Sequence, residues 1–402
     1  MNVVAMRAPP AESRTFPATD TRVAEVAVFD DLAAAEPHWR ALEAGPALAT
    51  PYQHFDFLKH WQHHVGTADG VTPFIVVAFN EAGTPLFLWP LGSRRTGTVR
   101  VAEFLGGKHA NFNMGIWRRD ALARITAADL RDVLAKLAGH ADVLALINQP
   151  LTWAGTTNPL VLLPQQRSAN FGFSGPLVPD FDALLRARTN AGARKKMRKK
   201  ERALAAYGTV TFYRMREPAD VRRVLDTFLK QKSARMRRIG VPDVFAAPGV
   251  RRFIEAATTE QSDGREPPIA IYALSVDDII VATMGGIVGG GRFCAMFNSI
   301  VQGPYAVESP GEQLLVNLVR DCCQRGFETF DLGIGEAHYK NLFCTDAEPL
   351  FDSYLPLSGR GRAIALAWRA GAAGKRMIKQ QPMLWSAVRA ARRLRARISG
   401  KP

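Results

Sequence analysis

Residues 309–340 read SPGEQLLVNLVRDCCQRGFETFDLGIGEAHYK, and the way this stretch divides decides the fold. Ser309 followed three residues later by Glu312 has the spacing of a capping box, and proline is favoured at a first helical position, so a helix is expected to begin at Pro310. Gly326 is where it should stop, and ETFDLGIG reads as a buried strand ending in two glycines. A helix start presents N–H groups without intrahelical partners at the positive end of the dipole. Ser309, Pro310, Gly311 and Glu312 are therefore candidates to hold a phosphate or pyrophosphate, with Gly311 letting a ligand approach the backbone. The plainer reading is that Ser-Pro-Gly-Glu only starts a helix, since no glycine-rich phosphate loop accompanies it.

Asp331 lies inside the apolar Phe-Asp-Leu-Gly. Burying a carboxylate unpaired costs several kcal/mol, roughly, so it must be hydrogen-bonded or functional. Just downstream, Glu336, His338, Tyr339 and Lys340 gather four titratable side chains at the end of the strand. Acylating an amine needs a base to take the amine proton and an acid to protonate the departing thiolate, tasks suited to Glu or His and to Tyr. Asp331 and these four are the candidate catalytic residues; a solvated loop of mixed charge is the alternative.

Working outward, the second half has a strand at GTVTFYRM, helices at REPADVRRVLDTFLKQKSARM and VFAAPGVRRFIEAAT, and a hairpin at PIAIYALSVDDIIVATMGGIVGG. The first half has the same order: a strand at VAEVAVF, helices from DDLAAAEPHWRALEA and ATPYQHFDFLKHWQHHV, then paired strands in TPFIVVAFNEAGTPLFLWPLGSRR. Matching FIVVAFNEAGTPLFLWPL with IAIYALSVDDIIVATMGG preserves strand, polar turn and strand, which indicates a diverged internal duplication. Each copy would be an α/β unit with a mixed sheet and helices on both faces. The expected division is a disordered 1–20, a first unit at 21–170, a second, catalytic unit at 171–358, and a basic helical tail at 359–402. A chain of 402 residues suits two units at roughly 100–200 residues per domain.

Several motifs together resemble one family. Ser309-Pro310-Gly311, the Phe330–Gly333 strand and Tyr339-Lys340 are similar to the late motifs of the bacterial cellulose-biosynthesis-associated (CelD-like) acetyltransferases of the GNAT superfamily. Lys232 through Arg235, in LKQKSARMRRIG, resemble that family's basic helix end. Arg194 to Arg202, in ARKKMRKKER, resemble its basic helix before the second-unit strand. Leu105-Gly106-Gly107 followed by Asn111 resembles its Gly-Gly segment, with Asn where the family has an acid. The resemblance covers roughly residues 22–355. It implies a tandem GNAT arrangement, similar also to the Fem aminoacyltransferases, with acyl-CoA as co-substrate in the second unit and an envelope sugar, lipid or peptide as acceptor between the units. Lys232, Arg235, Asn111 and Asn298 are then the substrate-binding candidates. The pyrophosphate loop usual in simple GNAT enzymes is missing, which leaves aminoacyl-tRNA as the other donor and a non-catalytic scaffold as the other class.

Composition sets the remaining bounds. The 47% hydrophobic and 22% charged fractions are those of a globular chain, with neither a signal peptide nor an apolar run of membrane-spanning length. The four cysteines, Cys294, Cys322, Cys323 and Cys344, lack metal-ligand spacing, so no metal and reduced thiols in the cytoplasm are expected. Of the net charge of +15, the segment from Gly359 to Pro402 supplies twelve Lys or Arg with no acid, leaving +3 for the rest. Within it Leu384, Val388, Ala391, Leu394 and Ile398 recur at helical spacing beside Trp385 and five arginines, the pattern of a helix lying on an anionic membrane surface at the inner face of the cytoplasmic membrane.

Overall fold

The computed structural model describes residues 21–261, 266–335 and 342–381. The expected disordered 1–20, the tail pattern from Leu384 to Ile398, and the candidates Glu336, His338, Tyr339 and Lys340 lie outside the described residues. The first half runs β1 (Glu25–Phe29), α1 (Leu32–Ala44), β2 (Ala47–Leu48), α2 (Phe55–Trp61), β3 (Thr72–Phe79), β4 (Pro85–Thr96), β5 (Val99–Phe104), β6 (Ile116–Arg118), α3 (Ala127–Leu137) and β7 (Val143–Pro150). A small hairpin of β8 (Thr152–Trp153) and β9 (Thr156–Thr157) leads to β10 (Gln166–Pro176), α4 (Phe181–Arg188) and α5 (Ala191–Ala205). The second half runs β11 (Val210–Met215), α6 (Pro218–Ile239), α7 (Val250–Thr259), β12 (Ile269–Val276), β13 (Ile279–Gly289), β14 (Arg292–Ile300), α8 (Pro310–Gln324), β15 (Thr329–Ile334), β16 (Asp346–Pro356) and α9 (Gly359–Gln380).

Local chemistry accounts for most of these boundaries. Pro218 opens α6 at its first turn, and Gly240, at φ 65°, closes it in the left-handed conformation. Asn80 holds the β3–β4 turn by accepting from Thr84 N at 2.8 Å, while its carbonyl accepts from Gly83 N at 3.0 Å. One boundary differs from expectation: VFAAPGVRRFIEAAT is helical only from Val250, because Gly249 sits at φ 80° against the His64 carbonyl and starts the helix there.

The strands form one 14-stranded mixed sheet in the order β1-β3-β4-β5-β7-β16-β10-β15-β14-β13-β12-β11, with short β2 and β6 off this path. Pairing along it is antiparallel except for β5 with β7 and β14 with β15. The order therefore reads as two copies of one pattern meeting at the centre. The hairpin β3–β4 occupies the place in the first copy that β12–β13 occupies in the second, as the duplication predicted. At the centre the copies exchange strands. β10, at the junction, pairs with β15 of the second half, whereas β16, from the end of the second half, pairs with β7 of the first. β10 and β16 pair with each other, so the two sheets are continuous. Helix α9 lies across this seam: Ala365 joins a core of Val99, Val101, Val143 and Ala145, and Trp368 meets Tyr354 at 6.0 Å between ring centroids.

Candidate active site

The parallel strands β14 and β15 stay paired over three positions only, Arg292↔Thr329, Phe293↔Phe330 and Cys294↔Asp331. β14 then runs on to Ile300 and β15 to Ile334 without pairing to each other, and a cavity of about 300 Å³ lies at the split. α6 buries Val221, Val224, Leu225 and Phe228 in its first turns, and its last turns bring Lys232 and Arg235 to this opening. Asn298 of β14 and Asn111, from the loop after β5, complete the polar lining. All four substrate-binding candidates thus meet in one cavity, although they are drawn from both halves. Lys232 Nζ donates to the Asn298 carbonyl at 3.3 Å and stands 5.5 Å from the Phe245 ring centroid. Burial, with the Arg235 charge second, holds its pKa below the ordinary lysine value.

A second cavity of about 320 Å³ adjoins the first, sharing Arg235, Met284 and Asn298, and reaches the start of α8 at Ser309, Gly311 and Glu312. Pro310 occupies the first helical position, as expected, and is buried. The capping box does not form. Ser309 has φ 54°, closing the turn Pro304–Glu308 that precedes it, and its side chain makes no cap bond. Glu312 turns instead to Lys200 of the basic helix α5, Oε2 to Nζ 2.7 Å. The absence of a side chain at Gly311 has a packing cause: a Cβ there would come within 2.5 Å of the Ile300 side chain.

Asp331 is fully buried, so it lies beneath the cavity floor rather than in it. Its Oδ2 accepts from Nε of Arg292 at 3.1 Å and also from Nη2, and its Oδ1 accepts from Gly333 N. Arg292 simultaneously holds Glu348 of β16 through Nη1–Oε1 at 3.0 Å and Nη2–Oε2 at 2.8 Å, and it stacks 4.1 Å from the Trp153 ring centroid. Ser174 of β10 donates to the same Glu348 at 2.7 Å. Burial pushes the Asp331 pKa up to about 6, opposed by Arg292. Burial, with the Asp331 charge second, keeps the Cys294 thiol well above its usual range, which favours the neutral thiol over the thiolate. All four cysteines are free and buried, and Cys344 donates to the Phe330 carbonyl, Sγ–O 3.6 Å.

Sequence reasoning missed Arg292, Glu348 and Trp153. Arg292 carried a signal: it is the lone cation at the head of the apolar RFCAMF, and a carboxylate buried in FDLG needs a cation. Glu348 and Trp153 carried none, because only the strand exchange brings them there.

The matching split in the first half is filled by the chain itself. β5 and β7 pair in parallel through Glu103↔Ala145. Beyond that point Asn113 donates its backbone N–H to Asn148 O and its Nδ2 to Ile147 O, both at 3.1 Å.

Residues 191–341 match the family model described as the acetyltransferase (GNAT) domain, the segment that contains α6, α8 and the β14–β15 split. Over those residues the chain carries a GNAT-type transferase domain, which makes it an enzyme. Its fold is similar to the C-terminal domain of a candidate lysylphosphatidylglycerol synthetase from Agrobacterium fabrum, at 12% identity and TM-score 0.50 over 84% of this chain and 95% of that one. It is also similar to FemX, at 11% identity and TM-score 0.51 over 82% of this chain and 96% of that one. A conserved protein of unknown function from Bacteroides thetaiotaomicron matches at 10% identity and TM-score 0.50, over 82% of this chain and 100% of that one. At these identities the likeness is one of fold. No curated protein matches the sequence. No helix among the described residues is long and apolar enough to cross a membrane.

Proposed function

We propose that the chain transfers an acyl group, acetyl in the first instance, from acyl-CoA to an amine or hydroxyl of an envelope sugar, lipid or peptide, in the manner of the cellulose-biosynthesis-associated acetyltransferases. The observation that supports this most is the β14–β15 split, lined by Lys232, Arg235, Asn111 and Asn298 and continuous with the start of α8. A narrow opening between strands suits the thin acyl-pantetheine arm. The cations Lys232 and Arg235, with the first turn of α8 around Ser309, Pro310, Gly311 and Glu312, suit the donor's phosphates. In the transfer the acceptor nitrogen or oxygen forms a bond to the thioester carbonyl carbon and the C–S bond breaks. Glu336 or His338 takes the acceptor proton, Tyr339 protonates the leaving thiolate, and Lys340 contacts donor or acceptor. Asp331 orders the site from below. The second unit is the catalytic one, and the basic segment 359–402 places the enzyme on an anionic membrane surface.

Calorimetric titration with acetyl-CoA tests this reading. Because Asn113 fills the first-half split, one molecule per chain is expected to bind rather than two. A chain that binds none, or that retains a different acyl carrier when purified gently and analysed by mass spectrometry, would overturn the donor assignment. The exposed cations of α5, Lys195, Lys196, Arg198, Lys199 and Arg202, favour aminoacyl-tRNA as the second reading. It predicts tRNA binding whose affinity falls steeply with salt.

A further inference from the structure

The β14–β15 ladder stops at a definite bond. Thr329 N donates to Gly291 O at 3.2 Å, and the register pairs Arg292 with Thr329 and Cys294 with Asp331. A parallel ladder repeats every two residues, so the bond after that of Asp331 N to Phe293 O would join Gly333 N to Ala295 O. The register ends one step short of it, and side chains engage both groups. Gly333 N donates to Asp331 Oδ1. Ala295 O accepts from Nδ2 of Asn111 at 3.0 Å. Gly333 has φ 71°, which turns its N–H back toward its own strand, and a Cβ on it would stand 2.6 Å from Asn111 Nδ2.

Each of the two side chains is anchored from behind. Arg292, clamped by Glu348 and stacked on Trp153, grips the other oxygen of Asp331. Asn111 Nδ2 also donates to the hydroxyl of Tyr52 at 3.0 Å, and Tyr52 is fully buried. Two anchored side chains thus stand where the next rung of the sheet would form.

We infer that Asn111 and Asp331 are positioning residues that splint the β14–β15 split open, Asn111 by occupying the Ala295 carbonyl and Asp331 by occupying the Gly333 N–H. The first half thereby completes a site whose walls belong to the second, across 184 residues of chain between Asn111 and Ala295. The consequence for donor binding rests on the reading of this split as the donor site; the splint itself does not.

The test uses the full chain with Asn111→Ala, and Asn111→Asp as a variant of nearly equal size that lacks the donor N–H. Asp331 is avoided because removing it strands Arg292. In the crystal structure of the Asn111→Ala chain the β14–β15 register is expected to extend by one pair, to Ala295↔Leu332. By calorimetry both variants are expected to bind acetyl-CoA at least tenfold more weakly, with the melting temperature little changed. A purely structural role would lower the melting temperature and the active fraction but leave the Kd of the folded molecules alone. An unchanged split in the variant's crystal structure overturns the inference; an extended register with unaltered acetyl-CoA affinity bears out the splint and overturns the reading of the split as the donor site. If the register extends while the unmodified chain binds no acetyl-CoA, the splint stands and the donor reading falls.

Discussion

Arg292→Ala is expected to cost about 3–5 kcal/mol of stability, read from chemical denaturation at neutral pH, because it leaves a buried carboxylate without its cation. Asp331 is wholly inaccessible, and Arg292 donates two hydrogen bonds to it and two to Glu348. One guanidinium therefore ties β14 to β15 and to the exchanged strand β16. Lysine cannot replace it: an ammonium lacks the planar fork that engages two carboxylates at once. The loss should depend on pH in a defined direction. The folded pKa of Asp331, about 6, lies above the ordinary carboxylate value near 3.9. Between those values the folded chain binds more protons than the unfolded one, so the contribution of Asp331 to stability grows as pH falls through this window. Without Arg292 its pKa rises further, and the damage is expected to shrink on acidification toward pH 5. Adding Asp331→Asn to Arg292→Ala should recover part of the loss at neutral pH and flatten that dependence. A single variant as stable as the parent at pH 7 would show that the network carries no such load.

Lys232→Met is expected to separate function from stability. At the cavity wall the Lys232 ammonium is mostly buried, and its pKa is held down by that burial and then by Arg235. A lysine whose folded pKa is lowered destabilises the fold below that pKa, and the cost disappears as pH rises past the unfolded value near 10.4. Methionine has similar length and no charge, so the variant is expected to be as stable as the parent at pH 7, or more so. Activity should nevertheless fall by about 10²-fold, the scale for losing one oriented charge or donor in an enclosed site. Gains in stability bought with activity are a mark of functional positions. If kcat/KM for acyl transfer were unchanged, Lys232 would have no part in the site.

The local features were legible from residue types. Pro310 marked the start of α8 and Gly326 its end, at φ 75°. The buried FDLG strand announced a carboxylate that needed a partner, and the two matched hairpins announced a duplicated mixed α/β fold. Where reading failed locally, a tertiary contact had overruled a short-range preference. Ser309-x-x-Glu312 has the spacing of a capping box, yet Lys200, 112 residues earlier in the chain, takes the glutamate. Lys232, Arg235 and Asn111 were singled out by family resemblance, and nothing in the spacing foretold that they and Asn298 would line one cavity.

By itself, then, the sequence determined which segments are helices and strands and which faces turn inward, because periodicity and end signals act over a few residues. Tertiary structure alone decided that β10 and β16 change places, that Arg292 finds Glu348 56 residues further along the chain, and that Asn111 reaches Ala295. Alternation of apolar residues states which side of a strand is buried. It does not state which strand lies beside it, since any neighbour can satisfy the same backbone hydrogen bonds, and that choice is settled only when the whole sheet packs.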